Sequence, residues 1–215
     1  MTPNTIHLVD DDPAVRAAIA FLLSTEGYVV HTYESGRAFL SAAGDTPGGC
    51  LVTDLRMPEM DGIDLLRAMR QSGIAMPVIV ITGHGDVPLA VAAMKAGATD
   101  FIEKPFDDKT LFGAIEGAIA RAANREPIPA GTEIARRRLA DLSPREQDVL
   151  AGILDGMTNV AIAAGLDISP RTVEIYRANL MSKMQAGNLP ELLRMTIPLR
   201  ALLPALPRRP GGKRA

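Results

Sequence analysis

The regular alternation of apolar strand patterns with helical patterns over roughly the first 120 residues is the strongest constraint on how this chain folds. Five apolar runs are typical of buried strands: Ile6–Val9, Tyr28–His31, Cys50–Val52, Pro77–Ile81 and Phe101–Ile102. Between and after them apolar residues recur at helical spacing, as in Ser35–Ala43 and Val87–Ala96. Because a helix between two strands allows them to run parallel, the alternation predicts an α/β doubly wound, five-stranded parallel sheet.

Polar side chains with acid, hydroxyl or ammonium groups follow four of the predicted strands. They are Asp10, Asp11 and Asp12 after the first strand, Asp54 after the third, Thr82 after the fourth and Lys104 after the fifth. The carboxyl ends of parallel strands lie at one edge of the sheet, where such folds bind ligands. We therefore expect these side chains to meet in one crevice. Clustered carboxylates repel one another unless a cation lies among them, and Mg²⁺ prefers oxygen ligands of this kind.

This set of side chains favours phosphoryl transfer. Asp54 is placed to act as the nucleophile on a phosphoryl donor, as aspartate does in enzymes that form an aspartyl phosphate. Mg²⁺ and the Lys104 ammonium would neutralise charge on the phosphoryl oxygens, and the Thr82 hydroxyl would donate to the product. Each residue also has a simpler interpretation: a solvated loop for Asp10–Asp12, a helix cap for Thr82 and a surface charge for Lys104.

The strand ends resemble the signature of the receiver domain of two-component response regulators. The resemblance rests on Val9-Asp10-Asp11-Asp12, Thr53-Asp54-Leu55-Arg56-Met57-Pro58, Thr82-Gly83 and Lys104-Pro105-Phe106. The run from Ile81 to Phe106 resembles the FixJ-type regulators in particular. It implies that Asp54 accepts a phosphoryl group from the phosphohistidine of a sensor kinase.

The same resemblance implies roles for the neighbouring residues. It assigns Asp11, Asp54 and the Arg56 carbonyl to Mg²⁺, with Asp10 contributing through water. It makes Thr82 and Phe101 a switch pair, in which the aromatic ring follows the hydroxyl inward. The alternative for Phe101 is simple core filling. The Lys104–Pro105 bond matches one that is usually cis in this family.

Two further residues near the site carry a hypothesis about the lifetime of the phosphorylated state. Arg56 and His84 each lie two residues beyond a predicted site residue. We expect them to flank the phosphoryl group and to set how fast water reaches it.

The second half of the chain carries four helical patterns. Ser143-Pro144-Arg145-Glu146 combines an N-cap, a proline at the first helical position and a capping-box glutamate. A short helix over Asn159–Ala164 is followed by a turn at Gly165–Ile168, and Ser169-Pro170 begins a longer helix. Leu189–Met195 supplies the fourth helix. The pattern predicts a small all-α four-helix domain with a helix-turn-helix, whose second helix enters the major groove of DNA.

The exposed face of the longer helix supplies candidate DNA contacts. Five residues are expected to meet base edges: Arg171, Glu174, Ile175, Ala178 and Ser182. Four flanking residues are expected to meet phosphates: Thr172, Arg177, Asn179 and Lys183. Base contacts read the sequence, whereas phosphate contacts position the protein. The alternative is a helical interaction domain with ordinary surface charges.

Leu142–Leu150 and Ile168–Met184 resemble the LuxR-type DNA-binding domain that FixJ-type regulators carry. Val160 departs from that family, which usually has lysine at this position, and Tyr176 stands where histidine is common. The missing lysine is expected to weaken binding to the DNA backbone without removing specificity.

Charge and composition predict two domains joined by a linker. Residues 1–124 hold 9 Lys and Arg against 16 Asp and Glu (net −7), and residues 125–215 hold 14 against 9 (net +5). The predicted segments are a receiver domain (1–123), a linker (124–138), a LuxR-type domain (139–200) and a basic, proline-rich tail (201–215).

The linker and the tail carry two further predictions. Within the linker, Thr132 is predicted to cap a helix that carries the basic triplet Arg136–Arg138. We interpret this triplet as a solvated face of the helix and not as a dedicated phosphate-binding site. We expect the chain from Pro198 onward to be disordered and to add sequence-independent attraction to DNA.

Several classes of protein are disfavoured. No apolar run approaches the roughly 18 residues of a membrane span, and the N-terminus is not a signal peptide, so we expect no membrane partner and a cytoplasmic location. Cys50 is the single cysteine, and it is expected to be a buried structural thiol.

The sequence thus predicts a FixJ-type response regulator that is not an enzyme. Phosphorylation by a sensor histidine kinase, FixL-like by resemblance, is expected to drive homodimerisation and binding to promoter DNA. Analogy favours an activator that acts with RNA polymerase on genes of microaerobic or nitrogen metabolism. The alternatives are a phosphohydrolase with an aspartyl-phosphate intermediate and a DNA-binding protein with a vestigial receiver. Such hydrolases usually need a second carboxylate just after the nucleophile, and Leu55-Arg56 offers none.

Overall fold

The computed structural model describes residues 5–43, 48–83, 87–124 and 129–206. Within this part the chain divides into two compact units: residues 5–83 and 93–124 belong to the first, and residues 87–92 and 129–206 belong to the second. No helix among these residues combines the length and the apolar character needed to cross a membrane.

The first half of the chain, to which most of the first unit belongs, alternates strands and helices. Its elements are β1 (Thr5–Val9), α1 (Pro13–Thr25), β2 (Val29–Tyr33), α2 (Gly36–Ala42), β3 (Cys50–Asp54), α3 (Gly62–Gln71), β4 (Val78–Thr82), α4 (Val87–Ala96), β5 (Asp100–Glu103) and α5 (Asp108–Asn124). All neighbouring strands pair in parallel, in the order β2-β1-β3-β4-β5. The predicted five-stranded parallel sheet is confirmed.

Alternate strand residues supply the core on each face of the sheet. On one face Ile6, Cys50 and Ile79 pack with residues of α1 and α5, among them Leu23 and Leu111. Cys50 is fully buried, and burial raises the pKa of its thiol to about 12. The thiol is therefore protonated near neutral pH and has the structural role that its place in the strand predicted.

The loops at the carboxyl edge of the sheet are short because side chains begin the next helix at once. The Asp12 carboxylate accepts hydrogen bonds from the backbone N–H groups of Ala14 and Val15, at 2.8 and 3.2 Å. Asp61 begins α3 in the same way. A Cβ atom at Gly62 would lie 2.7 Å from the Asp54 carbonyl oxygen. Glycine therefore allows the start of α3 to pack against the end of β3.

The second unit is all helical. Its elements are α6 (Pro129–Ala140), α7 (Pro144–Leu154), α8 (Asn159–Leu166), α9 (Pro170–Met184), α10 (Leu189–Thr196) and a 3₁₀ helix (Ile197–Leu202). The predicted capping box is present, since Ser143 and Glu146 bond to each other's backbone N–H groups. The four helices α7–α10 confirm the predicted domain class. Helix α6 begins at Pro129 and not at the predicted Thr132.

The predicted turn between α8 and α9 is wrong in its position. Gly165 and Leu166 lie inside α8, and the left-handed residue that ends the helix is Asp167, with φ 57°. Leu166 is buried at 5% exposure, so the extra residues complete the apolar face of the helix. Aspartate is one of the few residues besides glycine that adopt this conformation readily.

The expectation of disorder from Pro198 onward is also wrong for the residues that the structure describes. The 3₁₀ helix and the following residues to Leu206 are ordered, and Leu199 and Leu203 are buried. Burial of these two leucines holds the segment against the helical core. Residues 207–215 lie outside the described part of the chain.

Candidate functional site

The predicted site residues come together at the carboxyl edge of the sheet. Asp54 is the last residue of β3, Thr82 is the last of β4, and Lys104 follows the last residue of β5. The pairing of the backbone continues past the strands, since the Lys104 N–H donates to the Thr82 carbonyl at 2.7 Å. This backbone hydrogen bond holds Lys104 beside the end of β4. From there its side chain reaches the acids that follow β1 and end β3.

One ammonium group joins two acids of the site, of which Asp10 is buried and Asp54 is partly buried. Lys104 Nζ lies 2.7 Å from Asp54 Oδ1 and 3.3 Å from Asp10 Oδ2. The second oxygen of Asp54 accepts from the backbone N–H of Arg56 at 2.7 Å. Asp10 Oδ1 likewise accepts from the N–H of Asp12 at 2.9 Å. Two carboxylates and one ammonium leave a net negative charge at the centre of the site.

Burial and charge act in opposite directions on these groups. Burial raises the pKa of Asp10, although Lys104 and the Asp12 N–H oppose that shift. Burial alone would lower the pKa of Lys104, but the hydrogen bond and charge of Asp54, together with Asp10, outweigh it and raise that pKa. The Lys104 ammonium is therefore charged at neutral pH and is available to balance anionic oxygens.

Thr82 and Phe101 differ in their burial. Thr82 is fully buried at the end of β4. Phe101 lies opposite Val80 in the register of β4 and β5. It is only partly buried, so part of the residue is in contact with solvent. The Lys104–Pro105 peptide bond is cis, as the resemblance implied.

The structure does not gather all four aspartates around one point. Asp11 is exposed, and the Asp12 carboxylate caps α1. Among residues 5–43, 48–83, 87–124 and 129–206, no three His, Cys, Asp or Glu side chains converge to hold a metal ion. Arg56 is exposed, and His84 lies outside the described residues.

In the second unit, α8 and α9 form the two helices of the predicted helix-turn-helix. The Ser169 hydroxyl accepts from the Thr172 N–H at 3.0 Å and begins α9. Six of the nine candidate DNA contacts have exposed side chains that make no hydrogen bond or ion pair with the described residues: Arg171, Glu174, Ile175, Ala178, Asn179 and Ser182. Thr172 is half-buried, and its hydroxyl pairs with that of Ser169.

The two remaining candidates are held by other helices of the same unit. Arg177 is half-buried and donates to the Asn159 side chain of α8 at 2.9 Å. Lys183 lies 2.7 Å from Glu146 Oε2, at the start of α7. Arg177 and Lys183 therefore each connect two helices of the unit, a structural role beyond the phosphate contacts predicted for them from the sequence. The capping-box motif indicated Glu146, but nothing in the sequence indicated that Lys183 would be its partner.

Comparison with known proteins fits this arrangement. Residues 6–116 match the family model of the response regulator receiver domain, and residues 140–196 match that of bacterial regulatory proteins of the luxR family. The transcriptional regulatory protein FixJ of Rhizobium meliloti (strain 1021) is 51% identical over 197 residues, which cover 92% of this chain and 97% of that protein. The chain belongs to the FixJ-type response regulators.

Other FixJ-type and related proteins match over most of the chain. Full-length FixJ from B. japonicum is 47% identical with a TM-score of 0.54, covering 94% of this chain and 98% of that one. The response regulator protein TmoT of Ectopseudomonas mendocina is 43% identical, covering 90% of this chain and 88% of that protein. These relatives are regulators. A receiver joined to a DNA-binding domain implies a cognate sensor kinase and promoter DNA as partners, and receiver domains generally bind Mg²⁺ at the phosphorylation site.

Proposed function

We propose that this FixJ-type regulator is phosphorylated on Asp54 by a sensor histidine kinase, and that the phosphorylated form dimerises and binds promoter DNA. The observation that supports the proposal is the ion pair of Lys104 with both Asp54 and Asp10. It joins three strand ends into one anionic site with a charged ammonium beside the acceptor oxygen. The boundaries proposed for the two domains are 1–123 and 139–200, with 124–138 as linker and 201–215 as tail.

The transfer needs one nucleophile and a means to neutralise charge. A carboxylate oxygen of Asp54 attacks the phosphorus of the phosphohistidine, the phosphorus–nitrogen bond breaks, and the imidazole leaves with the electron pair and takes up a proton. Lys104 is already 2.7 Å from Asp54 Oδ1 and follows the phosphoryl oxygens as their charge develops. The Arg56 N–H holds the other carboxylate oxygen and orients the group.

The donor set fits a hard divalent cation. Asp10 and Asp54 are little exposed, carry one more negative charge than Lys104 balances, and present only oxygen atoms. We assign Asp11, Asp54, the Arg56 carbonyl and, through water, Asp10 to Mg²⁺. When bound, the ion would supply positive charge to the phosphoryl oxygens.

Thr82 and Phe101 are proposed as the switch that reports phosphorylation. The Thr82 hydroxyl donates to the new phosphoryl group, and the partly buried Phe101 ring moves inward after it. The surface of α4 and β5 then favours pairing of two receivers. Arg56 and His84 are proposed to flank the phosphoryl group and to limit attack by water.

The helix-turn-helix is proposed to read DNA through α9. Glu174 would accept from cytosine N4 and Ile175 would contact a thymine methyl group, with Arg171 and Ala178 beside them. The DNA phosphates are proposed to lie along four flanking residues: Thr172, Arg177, Asn179 and Lys183.

We further propose that the protein is a cytoplasmic transcription activator. It would act with RNA polymerase and receive its phosphoryl group from a FixL-like kinase.

The experiment is incubation of the full chain with acetyl phosphate and Mg²⁺, followed by intact mass and sedimentation measurements. We expect a mass increase of one phosphoryl group and a shift from monomer to dimer. Asp54→Asn should show neither change, whereas Asp64→Asn, an exposed aspartate on α3, should behave as wild type. Rapid release of phosphate with no accumulated phosphoprotein would instead support the phosphohydrolase alternative.

A further inference from the structure

Helix α6 belongs to the packed core of the second unit, although the sequence predicts most of it as linker. Its residues Ala135 and Leu139 are 0% and 5% exposed, and the helix packs against α9, α10 and the 3₁₀ helix. The Gln147 side chain of α7 donates to the Leu139 carbonyl at 3.5 Å and to the Leu142 carbonyl at 3.2 Å. The end of α6 is therefore fixed to the unit that carries the helix-turn-helix.

One arginine of α6 reaches the C-terminal end of α9. Arg138 Nη1 donates to the Met184 carbonyl oxygen at 2.9 Å, and Nη2 donates to Gln185 Oε1 at 2.5 Å. Arg138 is half-buried, whereas its neighbours Arg136 and Arg137 are exposed. The predicted solvated face is therefore wrong for Arg138, because its guanidinium is bound to another helix.

The contact satisfies hydrogen-bonding groups at the end of α9. The last four carbonyls of an α-helix have no N–H partner within the helix, and a cation there also matches the helix dipole. Met184 is the last residue of α9 and has a fully buried side chain. Gln185 ends the helix in the left-handed conformation, with φ 51°. One planar guanidinium therefore holds both the final carbonyl and the residue that stops the helix.

The reading of bases depends on the orientation of α9 along its whole length. Its candidate base contacts extend from Arg171 to Ser182, about 16 Å along the helix axis. A base contact needs donor and acceptor within hydrogen-bond distance, whereas a phosphate attracts a charge over a longer range. A small rotation of α9, or fraying of its last turn, should therefore weaken base reading more than phosphate binding.

We propose that Arg138 is a positioning residue for sequence reading, which acts through α9 and does not itself contact DNA. By holding the last turn of α9, it sets the alignment of the base-reading positions. The matched luxR-family region begins at residue 140, so this contact comes from the segment that leads into that region. The inference rests on the proposed reading of DNA by α9 and specifies a residue outside the helix-turn-helix that aligns it.

The test measures two affinities of the full chain in the presence of acetyl phosphate and Mg²⁺. One probe is the duplex that the wild type enriches from a random library under these conditions, and the other is a duplex of random sequence. The variant is Arg138→Gln. The control is Arg137→Gln, which removes the same charge from an arginine whose side chain is 79% exposed. Both binding constants are measured at several salt concentrations.

We expect Arg138→Gln to bind the enriched duplex about tenfold more weakly, the effect of losing one charged hydrogen bond. Its affinity for the random duplex should stay within about twofold of wild type, with an unchanged salt dependence, because no phosphate contact is removed. Arg137→Gln should match wild type on both probes.

Two results would overturn the inference. An unchanged ratio of the two affinities would show that Arg138 does not align α9. Equal losses on both duplexes, with a slope of log K against log salt that is shallower by about 0.9, would show a direct phosphate contact instead. A wild type that enriches no sequence would count against the proposed DNA reading itself, and the inference would fall with it.

A second measurement separates positioning from general loss of folding. Hydrogen exchange followed by mass spectrometry should show faster exchange over residues 180–186 in Arg138→Gln and wild-type exchange in α7 and α8. Faster exchange throughout the unit would show general destabilisation and would overturn the positioning role. In a Gln185→Ala background, Arg138→Gln should cause a smaller loss of discrimination than in wild type, because the two side chains act together. Fully additive losses would contradict the assignment of the effect to this contact.

Discussion

Lys104 shows, at the scale of single residues, how the site depends on charge balance. Its ammonium serves Asp54 and Asp10 together, and both acids are nearly inaccessible to water. Removal of this one group leaves two neighbouring carboxylates that still accept hydrogen bonds from the backbone N–H groups of Asp12 and Arg56. The same change lowers the positive charge available to a phosphoryl group.

We predict that Lys104→Gln slows phosphorylation of Asp54 by acetyl phosphate by about 10- to 100-fold, because charge on the phosphoryl oxygens is less well neutralised. The same variant should bind Mg²⁺ more tightly than wild type, since the competing ammonium is gone. Intact mass measured over time gives the rate, and titration calorimetry gives the affinity.

Lys109→Gln is the control for this prediction. Lys109 is an exposed lysine at the start of α5, so its substitution should leave both quantities unchanged. A Lys104→Gln protein that phosphorylates at the wild-type rate would refute the role given to the ammonium.

Glu146 shows, at the scale of secondary structure elements, how one side chain can join two helices. It completes the capping box of α7 and also binds Lys183 near the end of α9. Burial alone would raise the pKa of Glu146, but the hydrogen bonds from Lys183 and Ser143 outweigh it and hold that pKa below its usual value. The ionised carboxylate therefore stabilises the packing of α9 against α7.

We predict that Glu146→Gln lowers the free energy of unfolding of the second unit by about 1–2 kcal/mol at neutral pH, because the charged hydrogen bond to Lys183 is lost. A lowered folded pKa stabilises the protein fully above the ordinary glutamate pKa of 4.5 and ceases to do so as pH falls through the folded value. The difference between wild type and variant should therefore shrink below pH 4.5. Scanning calorimetry across this pH range measures it.

Glu133→Gln is the matched control, because Glu133 is an exposed carboxylate of the same unit, paired with Arg137 one turn away. Exposed pairs contribute little to stability, so this variant should unfold within about 0.5 kcal/mol of wild type at all pH values. A difference between Glu146→Gln and wild type that persists at low pH would show that its cause is not the ionised carboxylate.

At the scale of the whole molecule, the chain joins an acidic half of net charge −7 to a basic half of net charge +5. The acidic half contains the carboxylate site, and the basic half contains the helix-turn-helix. This division fits a cation and phosphoryl site in one unit and a polyanion site in the other. Phosphorylation of Asp54 is proposed to link the two functions through dimerisation.

We predict that selection from a random DNA library with the phosphorylated wild type returns two-fold symmetric sites. Their half-sites should be spaced by about one helical turn, or 10–10.5 base pairs, or a multiple of it, because a symmetric dimer presents two α9 helices. Asp54→Asn should not enrich paired sites. Asp54→Asn protein that selects the same sites with the same affinity would contradict the proposed coupling.

The sequence alone predicted the parts of this protein that depend on local physical chemistry. The apolar runs that end at Asp54 and Thr82 marked the strands, because a strand buried on both faces of a parallel sheet must be apolar throughout. Ser143 and Ser169 marked the starts of α7 and α9, because a hydroxyl at that position satisfies a free backbone N–H group. The parallel topology then placed the strand ends at one edge.

Tertiary structure decided the contacts between residues far apart in the chain. Lys104 meets Asp54 and Asp10 across separations of 50 and 94 residues, and Lys183 meets Glu146 across 37. Such pairs leave no periodic trace in the sequence, because their geometry depends on how whole elements pack. The order of residues 197–206 was missed for the same reason: the prolines of this segment are typical of a disordered tail, and only the packing of Leu199 and Leu203 against the helical core gives it order.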